Sequence, residues 1–456
     1  MSAFSIVSIA QLWAIPSQYQ DQTITVAGWL TSARHYKKVS FLILSDGSSV
    51  QTAQMVVPAD LLAQHPEIKA SGIGCSVRCE GRWVQSQGAG QSHEFLVDKL
   101  LWLGQVEDPE TYPIQRHEMS LDFLRTVPHL RSRVSTQASV ARMRHTVAQA
   151  IHDFFDQKGF LWVATPILTD TDAEGAGARF RVTTSAPGDV DAGDDFFAKP
   201  TYLTVSGQLE GEALCSALSR VYTFGPTFRA EQSHTSRHLA EFWMVEPEMA
   251  FASLADLIEL AQGLLQHVVQ VCLLRRRQEL EAFESQGGRS LLEWEKLAHA
   301  AFKVITYTQA IEHLLQSDEV FEEHVQWGMD LRSEHEKWLV AQHGCPVVVT
   351  DYPAGIKSFY MKPGGEGKTV QAMDVLVPDM GELMGGSVRE EDLVKLIARM
   401  KSCGMDVEEY SQYLDLRRYG SVPHGGFGLG FERLVAYLTS ASSIKDAIAY
   451  PKTAGM

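Results

Sequence analysis

The sequence is poor in the features that mark secreted, disulfide-stabilised and membrane-spanning proteins. Its 456 residues contain six cysteines, which are scattered and form no Cys-x-x-Cys pair. Because disulfide frameworks and zinc sites need patterned cysteines, we expect reduced and mostly buried thiols. No uninterrupted apolar run approaches the ~18 residues of a membrane helix. Residues 1–18 lack a basic start and a small-residue cleavage site, which predicts a cytoplasmic protein without a secretory signal.

Positive charge is also scarce. The formal net charge is −16, which argues against a protein that holds nucleic acid with its whole surface. The imbalance is uneven, since acidic and basic residues cancel over 1–105 and the acidic excess lies in the remainder. A nucleic-acid partner would therefore have to be held by local basic patches.

Length and composition predict a soluble chain of two or three domains. The hydrophobic share is 45% and the charged share is 21%, values that are typical of globular proteins with a sizeable core. Residues 6–104 consist of five short alternating runs separated by glycine-rich turns, which indicates a small β-barrel of the OB type. A small β-domain that serves only as a spacer fits the same pattern. Residues 106–135 hold many charges and three prolines, as a hinge between domains would.

The most informative stretch is 221–251, VYTFGPTFRAEQSHTSRHLAEFWMVEPEMAF. Its flanks are rich in aromatic and β-branched residues, which predicts two strands joined by a charged loop. Residues two apart share a strand face, so Arg229 and Glu231 should point together. The same holds for a second set, which comprises Phe242, Met244, Glu246 and Glu248. Buried charges at this density need ion-pair partners or a charged ligand, so a salt-bridged hairpin remains open.

Three other stretches carry unusual patterns. Residues 139–158 have helical periodicity, and the strand-like run after them contains Pro166, which favours an edge or a break. In 372–390, Asp374, Glu382 and Arg389 lie around two adjacent glycines, and carboxylates near a Gly-rich turn suit Mg²⁺ that is shared with phosphates. In 425–438, GGFGLGFERLVAYL, glycines run into a helix; such a string is weak evidence by itself.

Together these stretches resemble the class II aminoacyl-tRNA synthetases. FRAE, TSRH and EFWMVEPE resemble motif 2 of that family, while 139–168 and 425–438 are similar to motifs 1 and 3 in the same order. The whole chain is similar to the asparaginyl members of the bacterial aspartyl, asparaginyl and lysyl subgroup. The resemblance implies an α+β fold with an OB-type anticodon-binding barrel over 1–105, a hinge over 106–135 and a catalytic domain over 136–456. That domain would hold an antiparallel sheet flanked by helices, and motif 1 would form a homodimer.

The resemblance also implies a reaction in two steps. Amino acid and ATP give an aminoacyl-adenylate and pyrophosphate, and the acyl group then passes to the 3′ ribose of a tRNA. This chemistry needs positioning and charge neutralisation, with ATP and Mg²⁺ as cofactors. The implied metal ligands are Asp374 and Glu382, and the implied catalytic residues are Arg229, Glu231 and Arg433. The implied ATP-binding residues are Arg229, Glu231, Arg237, His238, Phe242, Glu382 and Arg433.

The amino acid is predicted from the chemistry of its side chain. An amide offers donors and an acceptor, whereas a carboxylate offers acceptors alone. Aspartyl enzymes of the subgroup carry a lysine where this chain has Gly211, and Glu246 would accept from an amide nitrogen and repel a carboxylate. Asparagine is therefore the expected substrate, with tRNA(Asn) as the partner. The amino-acid-binding residues that the resemblance implies are Glu174 in a mobile Gly/Ala-rich loop, Ser206, Gln208, Arg229, Glu246 and Arg389.

In the barrel, the resemblance implies four anticodon contacts. Phe41 would stack on a base, and the amide of Gln54 would bond a pyrimidine edge. Arg34 and Glu94 would contact the anticodon loop. Two rivals remain: an aspartyl or relaxed-specificity synthetase, and a synthetase-like paralogue that binds RNA without aminoacylation. A paralogue that makes a free small molecule would normally dispense with the barrel.

Overall fold

The structure is a computed structural model that describes residues 5–65, 72–88, 90–115, 119–173, 178–185, 195–232, 235 and 237–455. The chain divides into two compact units, Met1–Arg142 and Met143–Met456. The OB-type barrel lies in the first unit, and the predicted hinge over 106–135 belongs to that unit as well. The domain boundaries drawn from the sequence stay a prediction, because helix α6, Ser135–Gln157, runs across the division between the units.

The first unit is built on a closed five-stranded barrel, as predicted. Its strands follow the order β1-β2-β3-β5-β4. Alternating apolar residues point inward and form the barrel core, which includes Leu42, Leu44, Met55, Val57 and Trp83. The strands are β1 Thr23–His35, β2 Val39–Ser45, β3 Ala53–Pro58, β4 Ser76–Gln85 and β5 His93–Gly104. The helices are α1 Ile9–Ala14, α2 Pro16–Tyr19, α3 Ala59–Ala63, α4 Leu121–Thr126 and α5 Pro128–Arg131.

The second unit is organised around an eight-stranded sheet of order β12-β13-β14-β15-β16-β11-β10-β6. Its six inner strands are antiparallel, as predicted, whereas the edge strands β12 and β6 pair in parallel with β13 and β10. The strands are β6 Leu161–Trp162, β10 Arg220–Phe228, β11 Glu241–Ala250, β12 Lys303–Thr306, β13 Val347–Pro353, β14 Thr369–Val377, β15 Gly381–Val388 and β16 His424–Gly430. A small second sheet holds β7 Leu168–Thr169, β9 Thr201–Leu203 and β8 Arg181–Val182, in that order.

Helices flank the large sheet and bury its apolar side chains. They are α7 Gln208–Leu218, α8 Leu254–Arg275, α9 Arg277–Glu284, α10 Leu291–Leu297, α11 Tyr307–Leu315, α12 Ser333–His343, α13 Leu393–Ser402, α14 Ser411–Arg418 and α15 Phe431–Leu438. Short 3₁₀ helices occupy Ala354–Ile356, Glu408–Tyr410 and Ile444–Asp446.

Helix α8 is the most apolar of these helices. In the part of the chain that the structure describes, it is long and apolar enough to pass as a membrane span, with a mean hydropathy of 1.5. Core helices of soluble proteins pass the same test. One face of α8 is buried in the second unit, through residues such as Leu257, Leu264 and Val268. Its apolar character therefore has a packing explanation.

Candidate functional site

A cavity of about 290 Å³ lies in the second unit, lined mainly by residues of β11, β15 and β16 and the segments that adjoin them. Phe242, Met244, Glu246 and Glu248 of β11 all line it, which confirms that they share one strand face. The cavity gathers eleven residues that the sequence analysis assigned to ATP or amino-acid binding: Ser206, Gln208, Arg229, Glu231, Arg237, His238, Phe242, Glu246, Glu382, Arg389 and Arg433.

One end of the cavity carries a guanidinium group against an aromatic ring. The Arg229 guanidinium carbon lies 5.2 Å from the centre of the Phe242 ring. Arg229 and Glu231 follow the end of β10, so the expectation that they lie on a strand is wrong. Both still face the cavity, because the N–H of Arg229 donates to the carbonyl of Ala240 at 3.0 Å and keeps the loop close to β11.

Glu432 and Arg433, near the start of α15, connect the elements that surround this end of the cavity. The Glu432 carboxylate accepts the backbone N–H of Trp243 at 2.8 Å and lies 2.7 Å from the Arg144 guanidinium of α6. The next residue, Arg433, donates from Nη1 to the Glu382 carbonyl oxygen at 3.0 Å. Phe242 and Arg433 are therefore held in place by neighbouring residues on β11 and α15. Glu432 lies in the stretch 425–438 and contacts residues of the other two motif-like stretches, since Trp243 lies in 221–251 and Arg144 lies in 139–168.

Arg237 and His238 also line the cavity. Arg237 donates to the Met380 carbonyl oxygen at 2.6 Å and to the Ser333 hydroxyl. Burial lowers the pKa of Arg237, and the nearby Arg433 acts in the same direction. His238 Nε2 lies 3.6 Å from a Glu231 carboxylate oxygen, so these two predicted ATP-binding residues contact each other.

The predicted metal ligands lie side by side. A Cβ atom placed on Gly385 would be 3.0 Å from Glu382 Oε1 and 3.2 Å from Asp374 Oδ1, so the missing side chain leaves room for both carboxylates. Glu382 lines the cavity, whereas Asp374 is buried and accepts a hydrogen bond from Lys357 Nζ at 2.6 Å. Burial and the neighbouring Asp374 raise the pKa of Glu382, as expected where carboxylates crowd together and a cation would relieve the repulsion.

This donor set fits a hydrated Mg²⁺ better than a metal enclosed by protein ligands. Among the described residues there is no group of three or more His, Cys, Asp or Glu side chains that could hold a metal ion. Mg²⁺ usually takes one or two carboxylates together with waters and substrate phosphates. Glu382 is placed to supply one such oxygen, and Asp374 lies behind it with Lys357 as its partner.

The other end of the cavity is built around Glu246. This buried carboxylate accepts the N–H of Gly207 at 2.9 Å, the hydroxyl of Thr223 at 2.9 Å and the hydroxyl of Ser206. A carboxylate has about four lone-pair positions, so one position remains for a ligand in the cavity. Glu246 thus fixes the loop that carries Ser206 and Gln208.

Arg389 lies beside it, on the residue after β15. Its Nη2 and Nε donate to the two Glu248 oxygens at 2.5 Å and 3.3 Å, and Nη1 donates to the Ser387 hydroxyl at 3.0 Å. Burial works to lower the pKa of Arg389, but the carboxylates of Glu248 and Glu212 outweigh it and raise that pKa. A guanidinium has five N–H bonds, so two remain to donate into the cavity.

Gly211 faces the same buried region. A Cβ atom placed on Gly211 would lie 3.6 Å from Glu248 Cγ and 3.8 Å from Thr223 Cγ2, which is ordinary van der Waals contact. A longer side chain at this position would therefore extend toward the carboxylates at the Glu246 end of the cavity. The predicted difference between a lysine and a glycine at position 211 thus falls beside these carboxylates.

Sequence reasoning missed the residues behind this end of the cavity. Glu212 is fully buried and receives hydrogen bonds from Gln208 Nε2 at 3.0 Å, Tyr413 Oη at 2.9 Å and Arg417 Nη2 at 2.7 Å. His424 Nε2 lies 2.9 Å from the same carboxylate. We call Glu212, Arg417 and His424, together with Glu248 and Arg389, which were predicted and line the cavity, the buried charge cluster. The one available signal was helical spacing, since Glu212 follows Gln208 by four residues on α7.

The remaining predicted residues lie elsewhere. Glu174 falls outside the described residues. The four predicted anticodon contacts lie on the barrel strands, and Arg34 pairs with Phe41 across β1 and β2. Gln54 Nε2 donates to Glu94 Oε2 at 3.3 Å. Phe41 and Gln54 alternate along β2 and β3 with buried core residues, so both face away from the barrel interior.

Comparison with known proteins agrees with this geometry. The family described as "tRNA synthetases class II (D, K and N)" matches residues 120–454, and an "OB-fold nucleic acid binding domain" family matches residues 24–102. The asparagine–tRNA ligase of Legionella pneumophila (strain Paris) is 49% identical over 95% of this chain and 96% of its own. The asparagine–tRNA ligase of Xanthomonas campestris pv. campestris (strain 8004) is 51% identical over 95% of both chains.

Among solved structures, the asparaginyl-tRNA synthetase from Pyrococcus horikoshii in complex with asparaginyl-adenylate is similar over the whole fold. It has a TM-score of 0.88 and 33% identity, and the alignment covers 99% of this chain and 98% of that one. A barrel joined to a largely antiparallel sheet, with arginine, aromatic and acidic residues in one cavity, is the architecture of a class II aminoacyl-tRNA synthetase. The chain belongs to the class II tRNA synthetase family that comprises the aspartyl, lysyl and asparaginyl enzymes.

Proposed function

We propose that this chain is an ATP-dependent asparagine–tRNA ligase. It forms asparaginyl-adenylate with release of pyrophosphate and then passes the asparaginyl group to the 3′ end of tRNA(Asn). The observation that carries this proposal is the cavity of the second unit, because Phe242 and Arg433 line it together with Glu246 and Arg389. Relatives that match the whole chain at about half identity are asparagine–tRNA ligases.

At the ATP end, positively charged and aromatic groups position the nucleotide. Phe242 and Arg433 hold the adenine between them, and Arg433 reaches the γ-phosphate of a bent ATP. Arg237 and His238 lie at the pyrophosphate, while Glu231 takes the adenine or ribose side. Arg229 brings the amino-acid carboxylate against the α-phosphate, because its planar guanidinium can bond both groups.

Glu382 would hold Mg²⁺, and the bound ion would neutralise phosphate charge. The chain contributes the carboxylate of Glu382, with Asp374 behind it, and the space above Gly385 that a side chain would fill. Displacement at the α-phosphate then depends on alignment and charge stabilisation and needs no covalent step from the protein.

At the amino-acid end, the residues select an amide. Arg389 donates from its remaining N–H bonds to the side-chain oxygen of asparagine, and Glu246 accepts from the side-chain nitrogen. Ser206 and Gln208 lie alongside the substrate. A carboxylate in place of the amide would face Glu246 without a proton between them, which a buried site disfavours by several kcal/mol, on the order of 10³-fold in specificity.

An aspartyl or relaxed synthetase is the second candidate, and position 211 disfavours it. A glycine there leaves the amino-acid end without the extra cation that aspartyl enzymes carry. A non-aminoacylating RNA-binding paralogue is disfavoured because Arg229, Glu231, Arg433 and Glu382 all remain and line one cavity.

The barrel supplies the tRNA contact. Phe41 stacks on an anticodon base, Gln54 reads a pyrimidine edge, and Arg34 and Glu94 contact the anticodon loop. The hydrogen bond between Gln54 and Glu94 supports this assignment, because it holds the amide on the outer face where a base could replace one partner.

The chain acts as a homodimer in the cytoplasm. The region after α6 exposes a cluster of apolar side chains, with Leu161 at 53% and Trp162 at 58% exposure. These residues form β6, which is an edge strand of the eight-stranded sheet. Exposed apolar edge strands invite pairing with another chain, so a second copy that covers β6 and Ile167 explains the surface.

ATP–pyrophosphate exchange with asparagine and aspartate in parallel tests the proposal. We expect exchange with asparagine and at least 10³-fold less kcat/KM with aspartate, following the free-energy cost of burying an unpaired carboxylate. Equal exchange with both amino acids would replace the proposal with a relaxed synthetase. Absence of exchange with either would favour the RNA-binding paralogue.

A further inference from the structure

Three members of the buried charge cluster, Glu212, Arg417 and His424, lie behind the amino-acid end of the cavity, which Glu248 and Arg389 line. Glu212 is its centre: it is 1% exposed and contacts two residues that line the cavity, Gln208 and Arg389. Gln208 Nε2 donates to Glu212 Oε1 at 3.0 Å, and Arg389 Nε lies 3.8 Å from the same oxygen. The Glu212 carboxylate thus contacts Gln208 and Arg389, the two lining residues, without lining the cavity itself.

We propose that Glu212 is a positioning residue that holds Gln208 and Arg389 in place and sets the preference for asparagine over aspartate through the charge it adds behind them. This inference rests on the proposed function, since it assumes that Gln208 and Arg389 contact the amino acid.

The geometry makes Glu212 a rigid support. Its oxygens are engaged by the Tyr413 hydroxyl at 2.9 Å and by Arg417 Nη2 at 2.7 Å, and both side chains are buried and come from α14. Burial works to raise the pKa of Glu212, but Arg417 and His424 outweigh it and lower that pKa. Glu212 is therefore charged, and the direction of its two oxygens is fixed by helices α7 and α14 and by His424.

Acidic and basic side chains are already paired at this end without any substrate. His424 Nδ1 lies 2.8 Å from the Val422 carbonyl oxygen, and its Nε2 lies 2.9 Å from a Glu212 oxygen and 3.4 Å from Arg417 Nη2. The Glu212 and Glu248 carboxylates lie 2.7 Å and 2.5 Å from the guanidinium groups of Arg417 and Arg389. A neutral amide adds no charge to these pairs, whereas a substrate carboxylate adds a buried negative charge that these pairs do not compensate.

Removal of the Glu212 charge should therefore admit aspartate. In Glu212→Gln the side chain keeps its size and one acceptor oxygen, but the surroundings gain one net positive charge. We expect the ratio of kcat/KM for asparagine to that for aspartate, measured by ATP–pyrophosphate exchange, to fall at least tenfold. We also expect KM for asparagine to rise while KM for ATP changes less than twofold.

A matched control separates this effect from general loss of a buried carboxylate. Glu279 on α9 is also buried and pairs with Arg276 at 3.6 Å, away from the cavity lining. Glu279→Gln should leave the amino-acid ratio and both KM values unchanged. Glu212→Asp keeps the charge, so it should retain the wild-type ratio even if a shorter side chain raises KM for asparagine.

Three results would overturn the inference. One is a folded Glu212→Gln enzyme with the wild-type ratio. Another is a uniform loss that affects asparagine, aspartate and ATP parameters alike, because it indicates a merely structural role. The third is an equal loss of ratio in Glu212→Asp, since that variant keeps the charge.

A milder variant covers the case in which Glu212→Gln does not fold. Tyr413→Phe removes one hydroxyl donor from Glu212 without changing its charge, so KM for asparagine should rise twofold or more with the ratio and KM for ATP unchanged. An unchanged KM for asparagine in that variant would contradict the positioning role. Failure of the proposed function would look different, because the wild-type enzyme itself would then give no asparagine-dependent exchange.

Discussion

Substitution of Glu246 by glutamine probes the most constrained side chain of the cavity. The Glu246 carboxylate accepts hydrogen bonds from the Gly207 N–H, the Thr223 hydroxyl and the Ser206 hydroxyl. In Glu246→Gln the amide oxygen can keep the first two bonds, but the amide nitrogen then faces Ser206, whose hydroxyl must turn to accept. All three bonds also lose the assistance of a full negative charge.

The expected magnitude follows from those three bonds. Hydrogen bonds to charged groups contribute about 1.5–3 kcal/mol each, roughly twice the value of neutral ones. Weakening three of them should cost the folded protein about 2 kcal/mol. The asparagine site also loses its acceptor for the side-chain nitrogen, so kcat/KM for asparagine should fall about 10²-fold, which is close to 3 kcal/mol.

The assay is ATP–pyrophosphate exchange at varied asparagine and aspartate, with unfolding by denaturant measured on the same preparations. Glu279→Gln serves again as the buried control, and its exchange with asparagine and with aspartate should match the wild type. We expect Glu246→Gln to lose more activity with asparagine than with aspartate. Unchanged asparagine kinetics in a folded variant would refute the reasoning, because the carboxylate would then serve the loop of Ser206 alone.

Three further predictions address the pH dependence of stability, the proposed dimer and the barrel. Burial raises the pKa of Glu336 to about 7 from an ordinary value of 4.5, with the nearby Glu382 adding to the shift. Between pH 4.5 and 7 the folded protein holds a proton that the unfolded chain releases, so the free energy of unfolding should fall by about 3 kcal/mol as pH rises through this window. Glu336→Gln should abolish that decline in denaturant titrations. Parallel plots of unfolding free energy against pH for wild type and variant would contradict this prediction. Trp162→Glu should yield a monomer by light scattering. Leu274→Glu, at an 81%-exposed site on α8, should remain a dimer. If both variants are dimers, the interface does not lie at β6. Phe41→Ala should raise KM for tRNA about tenfold, since one stacked base contributes roughly 1–3 kcal/mol, without altering ATP–pyrophosphate exchange; an unchanged KM would remove Phe41 from the anticodon contact.

Local periodicity predicted those parts of the fold in which the side-chain pattern of a single strand determines which of its faces is buried. The two-residue repeat placed Phe242, Met244, Glu246 and Glu248 on one face, and all four line the cavity. The same repeat predicted the five strands of the barrel, because each alternates between core and surface. The repeat failed at Arg229, because β10 ends at Phe228. The conformation of the following loop, and not strand alternation, sets the direction of the Arg229 side chain.

The part of the buried charge cluster that lies behind the cavity could not be predicted in this way. Glu212, Arg417 and His424 come from α7, α14 and the first residue of β16, and no local pattern relates them to Glu248 of β11 or to Arg389 after β15. They meet because the order of strands brings β11, β16 and β15 side by side. Asp374 shows the same limitation: no local pattern indicates that Lys357, from another segment, lies 2.6 Å from its carboxylate. The roles of individual cavity residues come from family resemblance, since residue spacing alone leaves a salt-bridged hairpin open.

Transfer of amino acid to tRNA is the central claim. The direct measurement uses the purified wild-type chain, ATP and a tRNA whose anticodon reads the asparagine codons, with radiolabelled asparagine or aspartate in separate reactions. The structure predicts labelled tRNA with asparagine and only background with aspartate. Comparable labelling with aspartate, or no labelling with asparagine by an enzyme that binds the tRNA, would contradict the account.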